Sequence, residues 1–190
     1  MNIFKRVKFS NTKEKVNSNN NFILGKDETL LPKFTRIFGS KYSVNIYYLK
    51  IQKPELNLTE NCINIHLPMN YRKRNNQDLL DVILLKMYTK IAENEIENIM
   101  EKARHTFGFA PEDYEIKKMT STLANCNTDL QSISINPYIV MYSKEIVEYI
   151  VFHQFCHLKY KTHSKKFYDM LRKYVPNCET LARQLPNLKY

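Results

Sequence analysis

Residues 146–168 read IVEYIVFHQFCHLKYKTHSKKFY, and they hold three of the chain's five histidines. His153 and His157 are four residues apart within an apolar run of helical spacing. Residues four apart lie on one face of an α-helix, one turn from each other. The two imidazoles can therefore converge on one metal ion. His163, just beyond the helix, would supply a third ligand and leave a fourth position open, as catalytic zinc requires.

The residue after His153 departs from a known motif. In the helical zinc-peptidase motif His-Glu-x-x-His, that position carries a glutamate that acts as general base. This chain has Gln154 there. The amide has nearly the size and shape of a carboxyl group, but it does not ionise near neutral pH and cannot accept the proton. The sequence therefore predicts a site that holds metal and catalyses poorly.

Length and charge set the broad class of the protein. A chain of 190 residues suits one domain, which we place at 31–190, after a flexible, basic, Asn/Lys-rich leader at 1–30. The net charge is +10, with a sequence pI near 9.3. This balance permits binding to nucleic acid or to acidic surfaces without demonstrating it. A lysine-rich solvated surface is at least as good an explanation.

The cysteines and the N-terminal residues bear on the compartment. Cys62, Cys126, Cys156 and Cys178 form no C-x-x-C pair, which argues against a zinc ribbon or a redox dithiol. We interpret Cys126 as a structural thiol and Cys156 as a small buried apolar group. The start of the chain lacks the apolar core of a signal peptide, and no run is long enough for a membrane span. We therefore expect a cytoplasmic protein with no membrane partner.

Strand signals occur on both sides of one long helical segment. Segments rich in β-branched and aromatic residues predict strands at 34–38, 44–51, 62–67, 114–119 and 132–136. The polar residues 125–131 are predicted to turn between the last two strands. His66 alternates with Ile63, Ile65 and Leu67, so we expect it on the opposite, solvent-facing side of its strand.

The long helical segment is 77–107, which contains no glycine or proline and has apolar residues at helical spacing. Gly108 is well placed to end it. We expect one backing helix, or two helices joined by a bend near 93–97. Its acidic residues are most simply a solvated face.

The C-terminal part, 114–190, is predicted to carry the metal-site helices. Ser143 is a suitable N-cap for the histidine helix. An amphipathic helix is expected at 165–175, with Phe167 among its inward residues, and a short one at 178–185. Together these elements predict an α+β fold. A small mixed or antiparallel sheet would pack against the backing helix and the histidine helix, with further helices at the C-terminus.

Four segments carry a resemblance to a known family. They are TLANC at 122–126, ISIN at 133–136, YIVFHQFCHL at 149–158 and THSKKF at 162–167. They correspond to the R-W-G-S-C, I-x-L-N, Y-V-x-x-H-E-L-C-H-L and N-H-S-x-x-F segments of the YgjP-like metallopeptidases, relatives of the SprT-like and WLM zinc peptidases and of minimal gluzincin-type scaffolds. The chain resembles this family from about 33 to 185. The last two segments match in residue type and spacing, whereas Leu123 and Ala124 replace the tryptophan and glycine of the first.

The resemblance implies a zincin-like metallopeptidase domain that acts on peptides or proteins. It implies one zinc ion per chain, held by His153, His157 and His163, with Gln154 at the general-base position. It also implies that the strand at 132–136 is the edge of the sheet, to which an extended peptide could add.

Two accounts explain Gln154. It is either an engineered Glu→Gln exchange, made to trap metal or substrate, or the mark of a natural pseudoenzyme that keeps the fold. Loss of the base by drift would relax pressure on the other site positions as well. Those positions are intact, so we favour the first account.

Other readings stay open at this stage. A histidine pair at i and i+4 can be two hydrogen-bonded core residues. The chain can also be a catalytically dead, zinc-containing binding module for DNA or an acidic partner, to which its lysines at 159, 161, 165 and 166 would contribute. Some members of the family are described as acting on nucleotide phosphoanhydrides, which makes a metal-dependent phosphohydrolase a third possibility. With only three glycines, however, the chain offers no glycine-rich phosphate loop. The sequence does not predict an oligomeric state.

Overall fold

The computed structural model describes residues 8–9, 34–73 and 75–185. It divides into two compact units, 1–87 and 88–190. Apart from Lys8 and Phe9, the predicted leader lies outside the described residues, and the single domain at 31–190 stays a prediction. No described helix is long and apolar enough to cross a membrane.

The first unit contains a five-stranded mixed sheet. Its strands are β1 (Lys8–Phe9), β2 (Phe34–Ile37), β3 (Ser40–Leu49), β4 (Glu55–Leu58) and β5 (Cys62–Pro68), in the order β1-β4-β5-β3-β2. The pairs β3–β5 and β1–β4 are parallel, and the pairs β2–β3 and β4–β5 are antiparallel. β4 was not predicted, because it is only four residues long and directly follows Pro54, a residue that signals a break.

The sequence signals within this sheet correspond to particular conformations. Phe38 and Gly39 form the two-residue turn between β2 and β3, and both have positive φ, 48° and 79°. Positive φ at both turn residues is typical of the hairpin turns whose twist matches that of the strands. Ile63, Ile65 and Leu67 are fully buried, as their alternation predicted. His66 lies on the opposite face, as expected, but it is half-buried beside the Tyr47 ring, with the ring centroids 5.6 Å apart.

Helix α1 (Gln77–Phe107) is one continuous helix rather than two. It ends as predicted: Gly108 adopts φ 75° and donates its N–H to the Arg104 carbonyl at 2.9 Å. The helix begins in the first unit and ends in the second.

The second unit contains a three-stranded sheet. Its strands are β6 (Asp113–Ile116), β7 (Ala124–Asn127) and β8 (Ser132–Ile135), in the order β6-β8-β7. The expectation that 132–136 is an edge strand is therefore wrong, because β6 pairs with β8 in parallel on one side and β7 pairs antiparallel on the other. β7 was not predicted, and most of it lies in the segment 125–131 that was predicted to turn. The reason is that Asn125, Cys126 and Asn127 are not β-branched and give no strand signal. Among the described residues, β6 and β7 are the two edge strands of this sheet.

The remaining α-helices of the described residues are α2 (Lys144–Lys159), α3 (Lys165–Tyr174) and α4 (Cys178–Arg183). Ser143 caps α2 as predicted, because its hydroxyl accepts a hydrogen bond from the Ile146 N–H at 3.4 Å. Ion pairs join the second part of α1 to α2, such as Lys102 with Glu148 at 2.7 Å. The fold is α+β, as predicted, with its strands divided between two mixed sheets.

Candidate metal centre

Three imidazoles converge in the second unit. His153 and His157 lie one turn apart on α2, and His163 lies in the loop that leads to α3. The Nε2 atom of His153 is 3.2 Å from Nε2 of His157 and 2.9 Å from Nε2 of His163. The structure thus brings together the three histidines singled out in the sequence, and their binding of metal stays a prediction.

The spacing of these nitrogens can be tested against zinc. Zinc–nitrogen bonds of about 2.0–2.1 Å at tetrahedral angles hold neighbouring nitrogens about 3.3 Å apart. The two observed Nε2 separations lie close to this value, and the candidate ligand atoms all lie within 4.8 Å of one another. Within the described ranges, no carboxylate or thiol joins the group. Neutral imidazole is a preferred zinc ligand, so the donor set fits zinc.

The hydrogen bond of His157 to the backbone fixes which of its nitrogens faces the centre. Its Nδ1 lies 3.0 Å from the carbonyl oxygen of Tyr160, which can only accept, so Nδ1–H donates. In the neutral ring, Nε2 then carries the lone pair. A backbone carbonyl on the second ring nitrogen is the usual way in which a metal-binding histidine is oriented.

Proton counting also favours a cation between the rings. Nε2 of His153 has one in-plane position, which holds either a proton or a lone pair. Only one of its two close contacts, to His157 and to His163, can therefore be a hydrogen bond. A cation among the three lone pairs would satisfy all of them at once.

Burial keeps the imidazoles in the neutral form that binds metal. Desolvation, with smaller contributions from His157 and His163, lowers the pKa of His153 to about 3. Desolvation also lowers the pKa of His163 and that of His157, where the hydrogen bond to Tyr160 partly opposes it. The side chains are buried at His153, half-buried at His157 and exposed at His163, so the centre is open to solvent on the His163 side.

Phe167 forms an apolar wall against all three rings. Its ring centroid is 4.9 Å from that of His153, 4.7 Å from that of His157 and 4.8 Å from that of His163, and the residue is fully buried. Ser164 caps α3 by accepting a hydrogen bond from the Phe167 N–H at 3.4 Å. The sequence predicted Phe167 only as a core residue. Its position four residues after His163, with a capping serine between them, is the signal that could have shown this contact.

Gln154 is 2% exposed and follows His153 within α2. Its side chain is therefore largely shielded from water. Among the described residues, no carboxylate belongs to the histidine cluster, so no other acidic group takes the place of the expected glutamate. Its assignment to the general-base position stays a prediction.

Cys126 and Cys156 have thiols that remain protonated near neutral pH. Burial raises the pKa of the half-buried Cys126 to about 11. Burial, together with Cys178, raises the pKa of the buried Cys156 to about 12. Thiols of this kind are poor nucleophiles, which agrees with the structural roles expected for both residues.

A family model described as the YgjP-like metallopeptidase domain matches residues 7–188. The chain belongs to this family. Membership gives it a metallopeptidase fold and implies a metal, usually zinc. The described residues contain a three-histidine cluster that could hold such an ion.

Two solved structures of archaeal metallopeptidase zymogens are similar to part of the chain. Abylysin of Pyrococcus abyssi is 22% identical with a TM-score of 0.44, over 47% of this chain and 90% of abylysin. Jannalysin of Methanocaldococcus jannaschii is 25% identical with a TM-score of 0.43, over 47% of this chain and 91% of jannalysin. No curated protein matches the chain.

Proposed function

We propose that this chain is a zinc-binding metallopeptidase domain that takes peptide or protein segments as substrates and hydrolyses them slowly. The observation that carries the proposal is the convergence of three Nε2 atoms, with separations of 2.9 and 3.2 Å, in a chain of a metallopeptidase family. His153, His157 and His163 would hold one zinc ion per chain.

The roles of the protein groups follow from their contacts. Zinc bound by the three histidines would supply Lewis-acid chemistry, lowering the pKa of water and polarising a carbonyl group. Tyr160 holds the His157 ring with its Nε2 lone pair toward the centre, and Phe167 restricts the rotation of all three rings. The exposed side of His163 leaves an approach for the substrate.

Gln154 limits the reaction. Its amide can donate and accept hydrogen bonds, so it can orient water, but it cannot take up a proton at neutral pH. A positioned general base contributes on the order of 10²–10⁴ in rate. We expect hydrolysis to be slower by about that factor than with glutamate at this position.

The open edge of β7 is the place where we propose that a substrate peptide binds. Leu123 accepts a hydrogen bond from the Asn136 N–H at 2.8 Å, and Asn125 pairs with Ser134. Backbone groups alternate in direction along a strand, so those of Ala124 and Cys126 point away from β8. Among the described residues, no strand pairs with that side of β7, so an extended peptide can add there through main-chain hydrogen bonds.

Restoring the carboxylate tests the mechanism. The variant Gln154→Glu should bind one zinc ion per chain and hydrolyse unfolded casein about 10²–10⁴ times faster than the present chain, with full inhibition by a chelator. Gln184→Glu is the matched control, because it adds the same charge at an exposed position of the second unit. It should leave the rate unchanged.

Two results would contradict the proposal. The first is failure of the present chain to bind zinc, measured as metal content after gel filtration and compared with His153→Ala. The second is the absence of chelator-sensitive hydrolysis in Gln154→Glu, which would also dismiss the account of Gln154 as an engineered exchange. The DNA-binding and phosphohydrolase alternatives have no specific contact in their favour among the described residues.

A further inference from the structure

A basic cleft lies beside α3 in the second unit, and it is lined by side chains other than the three histidines. Its volume is about 380 Å³, and it is largely open to solvent. Three lysines line it, namely Lys159, Lys166 and Lys173. We call this feature the lysine cleft.

The lysine cleft has an excess of positive charge. Among the described residues that line it, only Asp169 carries a carboxylate, and this group is paired at 2.7 Å with Lys165, which does not line the cleft. Within the part of the chain that the structure describes, none of the three lining lysines forms an ion pair with a carboxylate. Three like charges around one concavity repel one another, so a bound anion would relieve an unfavourable interaction.

Aromatic side chains hold two of these lysines and add apolar surface. Lys159 Nζ lies 4.3 Å from the ring centroid of Phe109, and Lys173 Nζ lies 5.1 Å from that of Tyr174. Tyr174 also lines the cleft and packs on Phe107, with their ring centroids 4.7 Å apart. A ligand that suits these walls combines negative charge with an apolar group.

We propose that the lysine cleft binds an acidic peptide segment, with a carboxylate between the three ammonium groups and an adjacent apolar side chain against the aromatic wall. A peptide fits better than a nucleic acid. Among the described residues, no arginine lines the cleft for bidentate phosphate binding, and the aromatic wall suits an apolar side chain.

Tyr160 connects the lysine cleft to the candidate metal centre. It lines the cleft, and its carbonyl accepts the hydrogen bond from His157 at 3.0 Å. Lys166 is the sequence neighbour of Phe167, which contacts all three histidine rings. The cleft would therefore select substrates with acidic residues near the cleaved bond, and this last step rests on the proposed function.

Direct binding in the presence of EDTA separates the cleft from the metal chemistry. Fluorescence anisotropy of the whole protein would be measured with a labelled Gly/Ser peptide that carries a central Phe-Glu-Glu-Phe segment. The matched peptide carries Phe-Gln-Gln-Phe, and a labelled single-stranded DNA of equal length serves as the third probe. We expect the acidic peptide to bind at least about tenfold more tightly than the glutamine peptide, and also more tightly than the DNA.

Charge-matched variants assign the binding to the cleft. The triple variant Lys159→Gln/Lys166→Gln/Lys173→Gln should weaken binding of the acidic peptide about tenfold or more. The control triple variant changes exposed lysines outside the cleft to glutamine, namely Lys50, Lys53 and Lys118. It removes the same charge and should weaken binding less than about twofold.

Three results would overturn the cleft proposal, whatever the outcome for zinc or hydrolysis. They are equal binding of the two peptides, equal loss of binding in the two triple variants, and preferential binding of the DNA. Circular dichroism of both variants would confirm that each is folded. If Gln154→Glu proves inactive while the acidic peptide binds as expected, the proposed function fails and the cleft proposal stands.

Discussion

Acid should destabilise the zinc-free protein through His153. Burial gives this imidazole a pKa of about 3 in the folded state, against 6.5 as its ordinary value. Between these two values the unfolded state binds more protons than the folded state, so the free energy of unfolding falls as the pH falls. The loss begins near the unfolded pKa and continues until the folded pKa is reached.

The size of the effect follows from the same two values. At about pH 5 an unfolded histidine is almost fully protonated, whereas folded His153 is about 1% protonated. Integrated from about pH 7 to about pH 5, this difference lowers the free energy of unfolding by about 2 kcal/mol. The pKa values of His157 and His163 are lowered too, so their contributions have the same sign.

Urea unfolding in EDTA, followed by circular dichroism at the two pH values, measures this loss. His153→Gln removes the titrating group. Between the two pH values, its free energy of unfolding should fall by about 2 kcal/mol less than that of the unchanged chain. His105→Gln is the matched control, since the His105 side chain is 72% exposed, and it should retain the full dependence. The reasoning is refuted if the present chain and His153→Gln lose the same free energy between the two pH values.

Three further predictions concern zinc binding, Phe167 and Asn136. Zinc at about 100 times its dissociation constant should stabilise the chain by about 2.7 kcal/mol in urea unfolding, and His163→Ala should reduce this gain. Phe167→Ala should lower the free energy of unfolding by about 3–5 kcal/mol. It should also weaken zinc binding about 10–100-fold, measured in competition with a chelating dye. Unchanged zinc affinity would show that Phe167 does not orient the three imidazoles. Asn136→Leu should cost about 1–3 kcal/mol or more in urea unfolding, because the Asn136 amide donates to the carbonyls of Met119 and Thr122 at 2.9 Å each. The exposed change Asn125→Leu should cost less than about 0.5 kcal/mol, and an equal loss in both would contradict the role of Asn136.

The sheets show where local sequence signals fail. β7 was missed because Asn125, Cys126 and Asn127 have low strand propensity, and it is held in place by its pairing with β8. That pairing, together with β6 on the other side, turned the expected edge strand into the central one. β4 was missed for a similar reason, since its strand conformation depends on β5.

The sequence by itself determined the helices and the spacing of the histidines. The extent of α1, the Gly108 ending, the Ser143 cap and the positions of His153 and His157 on one face all follow from contacts within a few residues. Only the tertiary structure decided which strands lie at the edges of the sheet, that Phe167 contacts all three imidazoles, and that three lysines from two helices line one cleft. These features join residues distant in the chain or on separate elements, whose meeting depends on strand pairing and core packing that no local pattern encodes.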